Sequence, residues 1–108
     1  MLSDRLKQLA GQFLVRTREE LLLLRAQVPP AQQGNREALL EMQRLAHRIS
    51  GSGAMLGFKA ISQSARQIEN VLRRAEFAPG AAEWLTIMEQ LQAMDDELAR
   101  APTASGEG

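Results

Sequence analysis

Residues 58–75 read FKAISQSARQIENVLRRA. Phe58, Ile61, Ala65, Ile68, Leu72 and Ala75 follow one another at spacings of 3, 4, 3, 4 and 3. Side chains three and four apart share a face of an α-helix, so this register draws one apolar stripe along one helix. It predicts a helix over about 58–77 whose stripe faces a bundle seam. A half-buried strand would alternate apolar and polar residues, and no stretch of the chain does so.

Working upstream, Leu39, Met42, Leu45, Ala46, Ile49, Gly53 and Leu56 form a second stripe, with Asn35 as its N-cap and Gly57 as its terminator. Before it, a helix is expected from about Ser3 to Gln27. Ser3 or Asp4 caps it, and Leu6, Leu9, Phe13, Leu21 and Leu24 line it. Val28-Pro29-Pro30 is expected to end that helix, because the residue before proline is pushed out of the α region and proline has no N–H to donate. A polar linker then runs to Gly34. Downstream, Pro79-Gly80 breaks the chain. A fourth stripe follows at Trp84, Met88, Leu91, Asp95 and Leu98, flanked by Leu85 and Met94. The methionines and the single tryptophan read as packing residues. The expectation is an all-α fold, an antiparallel four-helix bundle over residues 1–100, with a disordered tail, APTASGEG, at 101–108.

Composition narrows the function. The chain has 108 residues, enough for one domain with one core. Thirteen Lys and Arg balance thirteen Asp and Glu, which argues against a nucleic-acid binder, and 44% hydrophobic content argues against disorder. There is no cysteine, hence no disulfide, zinc–thiolate site or thiol catalysis. One histidine without cysteine cannot build a usual transition-metal site, so no metal is expected. The start, MLSDRLKQLA, lacks the apolar core of a signal peptide, and the longest apolar run, Leu21 to Leu24, is far too short to cross a membrane. A cytoplasmic, monomeric domain without membrane contact is expected.

The histidine is His47. At 100° per residue it lies about 160° from Ile49, nearly opposite the second stripe, so it points outward. Leu40, Gln43, Arg44, Ser50, Gly51 and Ala54 share its face. The C-terminal side of that face is small: Ser50, Gly51, Ala54. A glycine inside a helix costs about 1 kcal/mol against alanine, so Gly51 and Gly53 need reasons. Gly51, one turn above His47, leaves the imidazole accessible; Gly53, on the stripe, permits close helix contact. A neutral imidazole is nucleophilic near neutral pH, and a nearby guanidinium stabilises an anion. An accessible His47 beside Arg44 thus suits a nucleophile that receives a negatively charged group.

The stretch His47-Arg48-Ile49-Ser50-Gly51-Ser52-Gly53-Ala54-Met55-Leu56-Gly57-Phe58, continuing KAISQSARQIENVL, resembles a histidine phosphotransfer (HPt) domain. The family pattern is a histidine on the second helix of a four-helix bundle, two residues, a lysine, a glycine, small residues with a second glycine, and another amphipathic helix. Within the family the chain is similar to the phosphoacceptor domain of chemotaxis-type kinases. It shares Arg44, the Gly57-Phe58 pair and the run Ile68-Glu69-Asn70-Val71-Leu72. The resemblance implies that Glu69 hydrogen-bonds the histidine ring; a solvated flank residue is the other reading, since periodicity gives no interhelix distance. It also departs from the family: Ser50 stands where lysine supports the phosphoryl group. Arg44, about 60° from His47, and Arg48, about 100° away, are the candidate substitutes, and Ser50 brings a hydrogen bond without charge.

The resemblance implies a phosphoryl carrier on His47, not an enzyme. Its partners would be a sensor or hybrid histidine kinase and response-regulator receiver domains, with Mg²⁺ held by the receiver and no cofactor here. Leu40 and Gln43 are assigned to the docking rim, with Ala54 beside the ring. Two other readings stay open: a module that docks without efficient transfer, motivated by Ser50, and a purely structural bundle. The charge is divided unevenly. Residues 44–74 carry six basic side chains (Arg44, Arg48, Lys59, Arg66, Arg73, Arg74) against Glu69 alone, and residues 75–108 carry one against seven acidic. A positive block around His47 would favour an acidic receiver site. Alternatively, the acidic last helix simply balances the third.

Overall fold

A computed structural model describes residues 2–101. It has four helices, α1 (Leu2–Gln32), α2 (Arg36–Leu56), α3 (Lys59–Arg74) and α4 (Ala81–Arg100), and no strand among the described residues. Short connections make sequential neighbours antiparallel. α1 packs on α2, α2 on α3, α3 on α4, and the ring closes through α4 on α1, the sparsest seam. That seam is held by Arg18 Nη2 donating to the Leu98 carbonyl at 2.9 Å and by an Arg25–Asp95 ion pair. Of the expected tail, Ala101 caps α4 and packs on the core; the rest lies outside the described residues.

The stripe of residues 58–75 reads almost unaltered in the structure. Ile61, Ala65, Ile68 and Leu72 are all buried, with Phe58 and Ala75 half-buried at the ends of α3. On α2, the stripe residues Leu39, Met42, Leu45, Ala46, Ile49 and Gly53 are buried as expected, and Leu56 is half-buried. Asn35 Oδ1 accepts from Ala38 N at 3.0 Å. Gly57 closes α2 in the left-handed region (φ 86°), with Phe58 N donating to the Gly53 carbonyl at 2.8 Å.

Three expectations need correction. Val28-Pro29-Pro30 does not end α1; both prolines lie inside it. The extra turn buries Val28 and Ala31 in the core, and the stop comes at Gly34 (φ 88°), where Asn35 N reaches back to the Pro30 carbonyl at 3.1 Å. Leu6 and Leu9 are exposed. At about 1.5 Å per residue α1 is about 46 Å long, close to the 47 Å long axis of the molecule, whereas α2 is about 31 Å. Its first buried residue is Phe13, so the turns before it overhang the bundle. On α4 the buried residues are Ile87, Leu91, Met94 and Leu98, with Trp84 half-buried. Met88 and Leu85 are exposed, as is Met55, so only Met42 and Met94 act as core methionines among the described residues.

The contact that sets the site lies between α2 and α3. A Cβ on Gly53 would stand 3.3 Å from Ser62 Cβ, 3.4 Å from Phe13 Cζ and 3.4 Å from the Phe58 carbonyl. Phe13 stacks on Phe58 with ring centroids 4.8 Å apart. Ser62 Oγ donates to the Ser50 carbonyl at 2.8 Å. Small residues thus let the two helices approach here, and two turns along α3 from Ser62 comes Glu69.

Candidate functional site

His47 stands on the outer face of α2, its side chain 71% exposed. Glu69 on α3 is the reverse, a carboxylate 9% exposed. The structure brings them together: His47 Nδ1 lies 3.0 Å from Glu69 Oε2 and 3.2 Å from Oε1. An ionised carboxylate only accepts, so the hydrogen sits on Nδ1, which donates. Nε2 then keeps the lone pair, and it has no hydrogen-bond partner among the described residues. This is the geometry of an oriented imidazole: one nitrogen held, the other offered on an exposed edge.

Two further side chains hold Glu69, and sequence reasoning gave neither this role. Gln43, expected on the docking rim, donates from Nε2 to Glu69 Oε2 at 2.6 Å and is half-buried. Arg73 Nη2 lies 3.1 Å from the same oxygen, as an i,i+4 ion pair along α3. The signals were present: Gln43 is one helical turn before His47, and Arg73 one turn after Glu69. The carboxylate is thereby fixed from three sides beneath the ring.

The residues expected to support a phosphoryl charge are placed differently. Arg44 pairs with Glu41 on its own helix. Arg48 reaches across to α1, where its Nη1 donates to Glu20 Oε2 at 2.9 Å; Glu20 is buried. Ser50 is buried, turned toward α3 where Ser62 caps its carbonyl, and so does not face solvent beside the ring. The reason is rotation: three residues past His47 comes to about 60° short of a full turn, and α3 occupies that side. Gly51 and Ala54 are exposed, and a Cβ on Gly51 would meet nothing within 4 Å. Packing therefore does not demand that glycine; it leaves open space one turn from His47. Leu40 is half-buried on the other side, at the edge of an open depression of about 600 Å³ shared with Gln27, Pro30, Glu41 and Arg44.

Among the described residues no three His, Asp or Glu side chains are grouped to hold a metal ion, and no helix is long and apolar enough to cross a membrane. A family model described as "Hpt domain" matches residues 8–101. No curated protein matches the chain, and no solved structure does.

Proposed function

The chain belongs to the Hpt domain family, and from that premise we propose that it carries a phosphoryl group on His47 between a sensor or hybrid histidine kinase and a response-regulator receiver domain. Hpt domains are phosphocarriers of two-component phosphorelays rather than catalysts, and they interact with kinases and receivers. The observation that carries the assignment to His47 is its exposed ring, held at Nδ1 by the buried Glu69.

The chemistry follows from that arrangement. The Nε2 lone pair attacks phosphorus, a N–P bond forms, and the bond from phosphorus to the donor's oxygen breaks. The electron pair leaves with the donor, as a free aspartate carboxylate when a phosphorylated receiver gives the group. No proton moves in this step; Nδ1 keeps its hydrogen, so the ring takes on positive charge as the dianionic phosphoryl group arrives. Glu69 stabilises that ring charge across the 3.0 Å contact. Delivery to a receiver runs the same step backwards. The receiver supplies the aspartate and the Mg²⁺, so this chain needs no cofactor, and it acts in the cytoplasm.

The experiment is phosphorylation by a kinase or a phosphorylated receiver. The parent chain takes up acid-labile label and His47→Gln takes up none; equal labelling of the two removes the proposal. The reading as a docking module without transfer rests on Ser50, which brings no cation to the ring. It predicts receiver binding with no stable phosphohistidine.

A further inference from the structure

We infer that Arg66 is the cation that holds the phosphoryl group on His47, reaching from α3 to do what the family's lysine does from α2. The inference rests on the carrier reading above and deepens it.

The site needs a cation because it receives a dianion. Of the arginines around it, Arg44 is paired with Glu41, Arg48 with Glu20, and Arg73 with Glu69. Arg66 is exposed and makes no ion pair or side-chain hydrogen bond among the described residues. Its place on α3 follows from its neighbours. Ser62, Arg66, Glu69 and Arg73 are spaced 4, 3 and 4 apart and so form one edge of the helix. Two members of that edge are fixed against α2: Ser62 on the Ser50 carbonyl, and Glu69 on Gln43 and His47. The helices are antiparallel, so Arg66, between those two, sits at the level between Ser50 and His47.

That level borders the empty part of the site. Ser50 is turned inward, and Gly51 presents no side chain, with nothing within 4 Å of where a Cβ would be. With nothing within 4 Å of where a Gly51 Cβ would be, a guanidinium reaching from Arg66 toward His47 enters open space, and it donates in a fork matched to phosphoryl oxygens. The lysine's absence from α2 and the free arginine on the facing edge of α3 therefore have one explanation: the charge has moved from one helix to the other.

The test uses the full chain and phosphoramidate, a small anionic donor that needs no protein partner. Its P–N bond breaks, ammonia leaves, and the N–P bond to His47 forms. Arg66→Ala and Arg66→Gln slow labelling roughly three- to ten-fold, while Arg66→Lys stays near the parent rate. The unfolding midpoint of all three matches the parent, because the side chain is exposed and makes no hydrogen bond or ion pair among the described residues. Parent-rate labelling of Arg66→Ala overturns the inference. So does a Lys variant as slow as the Ala variant with a lowered midpoint, which marks a structural role. A parent chain that takes no label, or a His47→Gln chain that takes as much, overturns the carrier reading itself and this inference with it.

Discussion

Two neighbouring residues of α2 each meet a buried glutamate, in opposite directions. His47 meets Glu69 on α3, and Arg48 meets Glu20 on α1. The carboxylates are equally hidden, 9% and 8% exposed, and both partners lie largely in solvent. Burial alone therefore does not tell a site from a tie. The difference is in the partners. Arg48 is charged at all times and is the one ion-pair partner of Glu20 among the described residues, so that pair fastens α1 to α2. Glu69 is held by Gln43 and Arg73 as well, which leaves the histidine contact free to serve the ring rather than to rescue the carboxylate. A group that must respond to a change of charge at its neighbour is one whose own needs are met elsewhere.

The comparison breaks most sharply at Glu69. Glu69→Ala frees the ring to rotate and removes the charge that offsets the phosphorylated imidazole. Labelling of His47 should slow about 10- to 100-fold, the scale on which metal-binding histidines suffer when the group that orients them is lost. Glu20→Ala should leave the labelling rate unchanged. Equal losses in the two variants, measured side by side with phosphoramidate, would erase the distinction.

Gly53→Val tests what sets the distance between α2 and α3. Its side chain must push away Ser62 and the Phe58 carbonyl. Overpacking of this kind costs about 1–3 kcal/mol in denaturant titration. Labelling should fall too, because α3 carries Glu69 away from the ring. A variant that keeps both stability and rate shows that the close contact does not position the site.

The smallest effect belongs to Arg48→Ala. It leaves the Glu20 carboxylate buried without its cation, a loss of about 1–2 kcal/mol after discounting for the half-exposed guanidinium. The labelling rate should not change. A slower rate would place Arg48 in the phosphoryl site after all.

How much of this was legible in the sequence varies by element. The stripe of α3 read correctly because its apolar residues leave only one possible stripe, although the helix ends at Arg74 and Glu76 and Phe77 turn to positive φ instead of continuing it. α4 did not. Trp84-Leu85, Ile87-Met88 and Met94-Asp95 support two stripes one residue apart, and the packing of α1 and α3 decides between them. Leu6 and Leu9 continue the α1 stripe beyond the point where neighbours stop, and periodicity carries no information about where that is. The outward face of His47 was a matter of angle and therefore legible. The roles of Arg44, Arg48 and Gln43 depend on which helix stands beside each face. Gln43 lies about 40° from the ring on one side and Arg48 about 100° on the other, and which helix stands on each side draws the first to α3 and the second to α1.

In the carrier role proposed for His47, the single exposed ring has a consequence for traffic between kinase and receiver. One convex helix face bears one acceptor nitrogen, and a kinase and a receiver cannot both cover it. Loading and unloading must alternate, as with a ferry that has one berth. Throughput is then limited by how fast the previous visitor departs, and a surplus of receiver that has nothing to give or take slows the relay merely by occupying the berth.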